Sequence, residues 1–155
     1  MEGNALIEKA IDRIYEEPDS DNLIDFLTVL CIRMKADGCG LVPFVTVGEG
    51  VFPDLDVYSL QEGDTITLDH EVGIRMDTVT EGDGKEWFYI FTNGEEMHKK
   101  PVPDVVMEIP FAEILEAAKK SNKVNGVVMN PFGKYFKLDK KLIECTFEVL
   151  KHMEE

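Results

Sequence analysis

The sequence predicts a mixed α/β (α+β) fold, a largely antiparallel sheet with helices packed on it. Three observations carry that expectation. Apolar residues recur at helical spacing towards both ends of the chain, period-two apolar runs fill the middle, and turn residues join two pairs of those runs into hairpins. A helical stretch between two further strand patterns also permits one parallel pair, because a crossover of that length can return the chain in the same direction.

Ala5 to Tyr15 sets Leu6, Ile7, Ala10, Ile11 and Ile14 on one stripe, and Glu16-Glu17-Pro18-Asp19-Ser20 breaks it. Ser20 or Asp21 suits the cap of a second helix, with stripe Leu23, Ile24, Phe26, Leu27, Leu30, Cys31 and Met34, and Gly38 or Gly40 suits its end. Thr28 to Met34 is also β-prone, with Asp37-Gly38 as a hairpin turn. The unbroken period from Leu23 to Met34 decides for the helix. Leu41 to Val47 reads as a strand, and the polar, glycine-dotted stretch 48–63 as a long surface loop. Thr65–Leu68 and Ile74–Thr80 alternate like strands, and Asp83-Gly84 turns the second of these into Glu86–Thr92. There Trp87, Tyr89 and Phe91 share one face and Phe88 and Ile90 the other, as in a strand covered on both sides. Asn93 to His98 fits one helical turn, and Pro101 and Pro103 mark a connector. After a strand at Val105–Ile109, Pro110 opens a helix over Phe111–Lys120. Ile114, Leu115 and Ala118 face inward there, and Lys119 and Lys120 sit at the end the dipole favours for cations.

The second hairpin runs from Gly126–Met129 through Asn130-Pro131-Phe132-Gly133 to Leu138. Pro131 presets the second position of a type I turn, Asn130 suits the first, and Gly133 the fourth, with positive φ at Gly133. That register pairs Met129 with Tyr135, Val128 with Phe136 and Gly126 with Leu138. The first strand is apolar on both faces and belongs inside the sheet; Lys134 and Lys137 put the second nearer an edge. Asp139 then caps a last helix, Lys140–His152, whose stripe is Leu142, Ile143, Thr146, Val149, Leu150 and Met153.

A chain of 155 residues fits a single domain spanning 1–155, and 44% hydrophobic with 30% charged residues argues against disorder. The net charge of −15, from 31 acids against 16 bases, repels phosphate backbones and anionic membranes, so neither nucleic acid nor membrane is expected as a partner. Met1 to Asn4 has no basic region and no long apolar run follows, which predicts neither signal peptide nor transmembrane helix. Cys31, Cys39 and Cys145 lack metal or redox spacing. They read as reduced thiols of a cytoplasmic protein, the first and last on helices and Cys39 in a turn.

His70, His98 and His152 lie far apart without ligand spacing, so no metal site is predicted. The acidic, glycine-bearing stretch from Asp77 to Glu86 lacks the order of a calcium loop. No nucleophile elbow surrounds Ser20, Ser59 or Ser121, and Gly48-Glu49-Gly50 sets a carboxylate where a phosphate cradle needs amides and a lysine. No catalytic residue and no cofactor is predicted.

Three stretches nevertheless resemble elements of one family. Glu86-Trp87-Phe88-Tyr89-Ile90-Phe91-Thr92-Asn93-Gly94-Glu95-Glu96 is similar to its aromatic strand followed by an acidic turn of helix. Val106 to Leu115 is similar to its strand-to-helix step, and Gly126 to Gly133 to its closing Asn-Pro-x-Gly hairpin. The family is the SseB protein N-terminal domain. The resemblance covers most of the chain, departs from the family in the acidic stretch 48–69, and implies a cytoplasmic α/β domain without an established reaction.

The functional expectation is a non-catalytic interaction or regulatory domain with a protein partner. Thr92, Asn93, Asn130 and Phe132 are the candidate contacts, where strand ends and turns converge. The alternative is a small-molecule-binding domain or enzyme with a pocket beside the 48–69 loop.

Overall fold

The computed structural model describes residues 3–47, 73–102 and 105–153. The predicted loop at 48–63, the strand at Thr65–Leu68 and the alternative pocket beside 48–69 lie outside the described residues. Element order is α1 (Ala5–Glu16), α2 (Ser20–Lys35), β1 (Cys39–Val47), β2 (Gly73–Met76), β3 (Thr78–Thr80), β4 (Glu86–Ile90), α3 (Gly94–Met97), β5 (Val105–Pro110), α4 (Phe111–Lys120), β6 (Val124–Met129), β7 (Phe136–Asp139) and α5 (Lys140–Met153). The mixed α/β class is as predicted.

Helix ends follow local chemistry. Asp19, one residue before the expected caps, starts α2: its side chain accepts from Asn22 N at 2.8 Å. Neither expected glycine supplies the left-handed residue at the other end. Asp37 does, with φ 58°, and Gly38 N then donates to Arg33 O at 2.7 Å while Asp37 N donates to Met34 O at 3.1 Å. Those two bonds form a Schellman ending, for which a short polar side chain tolerates the left-handed conformation. Cys39 is the first residue of β1 rather than part of the turn. Pro110 closes β5 and stands immediately before α4. Asp139 caps α5 as predicted, accepting from Leu142 N at 2.8 Å.

The strands form two sheets, ordered β2-β1-β5 and β3-β4-β6-β7. A bridge between Leu41 and Phe91 joins them, each residue's N–H donating to the other's carbonyl at 2.8 and 2.9 Å. The run read as one strand from Ile74 to Thr80 is divided between the sheets at Asp77, whose N–H turns to Pro43 O. Among the described residues the single parallel pair is β4 with β6; β5, the expected neighbour of β6, lies antiparallel to β1 in the other sheet. Edge placement of β7 and the interior place of β6 hold.

The register of the β6–β7 hairpin differs by one residue from the expectation. Met129 pairs with Phe136, Val128 with Lys137, Val127 with Leu138 and Gly126 with Asp139. A one-residue slip moves every side chain to the opposite face. Val127, Met129, Phe136 and Leu138 thereby enter the main core with α1, α2, α4 and α5, where Ile7, Phe26, Leu30, Ile114 and Ile143 meet them. Positive φ falls on Asn130, at 53°, not on Gly133. Gly126 is required by close approach: a Cβ there would lie 1.9 Å from Leu138 O.

The opposite face carries Trp87, Tyr89, Phe91 and Val128, the aromatic alternation the sequence predicted. Phe132, Met97 and Val102 pack against this second cluster. Tyr89 OH donates to Asp77 in a short hydrogen bond, which ties the division between the sheets to β4.

Candidate functional site

Three of the four sequence-predicted contact residues come together. Thr92 follows β4 and is fully buried; Asn130 ends β6 and is 4% exposed. Asn130 Oδ1 accepts from Thr92 N at 2.9 Å, and its Nδ2 donates to Thr92 Oγ1 at 3.0 Å. This two-point clasp holds the parallel strands β4 and β6 together beyond their ends. The left-handed backbone at Asn130 aims the side chain across to Thr92 while its own N–H donates to Ile90 O at 2.8 Å. Asn93 caps α3, accepting from Glu96 N at 2.8 Å.

Glu8 of α1 closes the arrangement from the far side. Its Oε2 accepts from Thr92 Oγ1 and from Asn93 Nδ2, both at 2.7 Å. Behind it, fully buried Asn4 donates through Nδ2 to Cys39 O at 2.9 Å and Thr92 O at 3.0 Å, and its Oδ1 accepts from Arg33 Nε at 3.2 Å. Thr92 is therefore held through its N–H, its carbonyl and its hydroxyl. A chain segment buried between sheets satisfies its polar groups this way because unmet ones are costly.

In front of the braced residues lies a notch of about 310 Å³ lined by Glu8, Asp12, Asn93, Glu95, Glu96, Lys99, Asn130 and Lys134, with Ile11 at its base. Lys99 Nζ pairs with Glu96 at 2.7 Å and Lys134 Nζ with Asp12 at 3.1 Å. Glu8 and Glu95 have no cation among the described residues, so the notch carries net negative charge. The second carboxylate oxygen of Glu96, Oε1, is buried without a hydrogen-bond partner among the described residues. Gly133 backs this pair: a Cβ there would meet Lys99 Nζ at 2.6 Å and Glu96 Oε1 at 2.7 Å. Among the described residues no group of His, Cys, Asp or Glu is arranged to hold a metal ion.

Phe132 stands apart from the notch. It is half-buried on the second apolar cluster, its ring 5.3 Å from Phe91 and 6.5 Å from Tyr89, with Lys100 Nζ 5.5 Å above it. Glu8, Asp12, Lys99 and Lys134 escaped sequence reasoning. For Glu8 and Asp12 a signal existed: Asn4, Glu8 and Asp12 form a polar row at four-residue spacing beside the apolar stripe of α1.

The chain matches the SseB protein N-terminal domain over residues 7–144. It belongs to that family. The match takes in Glu8, Thr92, Asn93 and Asn130, so the braced residues of this SseB domain lie inside it, while Asn4 precedes it. No curated protein and no solved structure matches the chain. No helix among the described residues of the domain is long and apolar enough to cross a membrane.

Proposed function

We propose that the chain is a non-catalytic, cytoplasmic interaction domain and that the notch is where it holds a partner protein. The observation that carries this reading is the state of Glu8. Its carboxylate is half-buried, oriented by two neutral donors, and unpaired with any cation among the described residues, whereas Asp12 and Glu96 beside it each hold a lysine. A carboxylate fixed in this way keeps lone pairs for a donor from outside, and charge-assisted bonds are the strong ones. Asn93 and Asn130 belong to the contact and Thr92 braces it; Phe132 serves the apolar cluster instead.

The test is capture from cell extract with wild type and with Asp12→Asn/Glu95→Gln, both changes at the rim of the notch. With melting temperatures matched, the variant is expected to lose partners that the wild type retains. Recovery of the same partners by both proteins would remove the notch as the contact.

A further inference from the structure

A second depression continues the notch along α1. It has a volume of about 380 Å³ and is lined by Ile14, Tyr15, Pro18, Tyr135, Phe136 and Lys137. The first half of α1, through Glu8 and Asp12, walls the notch, and the end of α1, through Ile14 and Tyr15, walls the groove. The opposite wall is equally continuous, from Asn130 and Lys134 to Tyr135 and Lys137. Among the described residues two exposed contacts cross the seam, Lys134 to Asp12 and Tyr15 OH to Tyr135 O at 2.6 Å. An exposed ion pair of this kind is weak and yields readily to a competitor.

The groove is apolar and open. Tyr15 and Tyr135 are 47% and 49% exposed. It follows the outer edge of β7, because Phe136 from the core face and Lys137 from the opposite face both line it. Around its Pro18 end, residues 14–25 hold five acids and no base. Charge complementarity therefore selects a basic, not an acidic, occupant, and a second copy of a chain with net charge −15 is disfavoured.

We propose, resting on the notch as the partner site, that its ligand is an extended segment of a partner protein that sets a Lys or Arg against Glu8 and an apolar side chain between Tyr15 and Tyr135. The spacing follows from the helix. Seven residues of α1 separate Glu8 from Tyr15, a rise of roughly 10 Å, which an extended chain covers in about three residues. The recognised pattern is thus a basic residue and a bulky apolar residue about three positions apart.

The probe is a fluorescein-labelled peptide, Ser-Arg-Thr-Ser-Leu-Ser, followed by anisotropy at low salt. Binding is expected, with loss of roughly tenfold or more in affinity for Glu8→Gln and for Tyr15→Ala, each at the scale of one hot-spot contact. Glu8→Gln keeps an acceptor for Thr92 and Asn93 and removes only the charge; Tyr15 is exposed, and both variants are checked by thermal melting. Replacing the peptide's Arg by Glu, or placing Arg and Leu adjacent, is expected to abolish binding. If Glu8→Gln weakens binding and Tyr15→Ala does not, the notch stands and the two-site segment is overturned. Failure of the peptide to bind, or binding indifferent to Glu8→Gln, overturns both readings. Self-association of the protein that Tyr15→Ala abolishes, seen by sedimentation, assigns the groove to a second copy and likewise overturns the proposal.

Discussion

At the scale of single residues, Asn130 does the most. The sequence shows an asparagine before proline and glycine, which reads as a turn residue, and the turn is there: Gly133 N donates to Asn130 O at 3.2 Å. Nothing in a single sequence shows that the same side chain is buried against Thr92, thirty-eight positions away. Asn130→Ala leaves Thr92 N–H without its acceptor and puts a Cβ-bearing, non-polar residue in left-handed backbone. The expected loss is about 2–4 kcal/mol from the orphaned donor and the backbone cost together. Asn130→Gly keeps the backbone easy and loses only the bonds, so it is expected to be the less damaging change in urea unfolding. An order reversed between the two would show that the clasp to Thr92 contributes little. Cys31 gives a second residue-scale prediction. It is fully buried, donates to Thr146 O at 3.2 Å, and burial pushes its thiol pKa up to about 11. The folded state thus binds that proton more tightly than the unfolded state does. Stability from this group is complete below the ordinary thiol pKa and is lost as pH rises towards 11. Tyr89 acts with the same sign, its hydroxyl raised by burial and then by the bond to Asp77. Urea midpoints taken between about pH 8 and pH 10.5 are expected to fall more steeply for wild type than for Cys31→Val, since only the former has the thiol to ionise. Parallel slopes would show that the thiol is not protected by the fold.

Among elements, helices were legible and strand partners less so. The period-3.6 stripes placed α1, α2, α4 and α5 within a residue or two, because amphipathic spacing is local information. The alternation in β4 likewise sorted Trp87, Tyr89 and Phe91 from Phe88 and Ile90. Pairing is not local. Val105–Pro110 looks the same whether its neighbour is β6 or β1, and how the sheets adjoin emerges from long-range contacts such as the bridge between Leu41 and Phe91. The hairpin register failed for a similar reason. Turn chemistry favoured positive φ at glycine, whereas the chain places it at Asn130, where a buried partner fixes it, and the connection from β6 to β7 lengthens. Gly126 tests the observed register. Its missing Cβ makes room for Leu138 O, so Gly126→Ala must separate β6 from β7. The expected outcome is a loss of several kcal/mol, beyond the ordinary range for one substitution, or failure to fold. Tolerance of alanine at this position would mean that the strands pair as the sequence alone suggested, with Gly126 opposite Leu138.

For the molecule as a whole, charge is the dominant fact. Four ion pairs occur among the described residues, all with partly exposed side chains, against 31 acids in the chain. Most carboxylates therefore repel one another through solvent, and folding concentrates that repulsion. The screening length is about 10 Å at 0.1 M salt, comparable to spacings on a domain of this size, so added salt relieves the folded state more than the expanded chain. Melting temperature is expected to rise between low salt and about 0.3 M NaCl, by roughly 2–4 °C for each kcal/mol of relief. KCl should act alike, because screening does not depend on which monovalent cation supplies it. Binding of a basic segment in the notch must respond in the opposite sense, weakening over the same range as attraction to Glu8 and the acidic lip is screened. The pair of trends separates global repulsion from local recognition: a protein stabilised by salt whose peptide affinity also rose with salt would be holding that peptide by apolar contact alone, and the carboxylates of the notch would have no part in recognition.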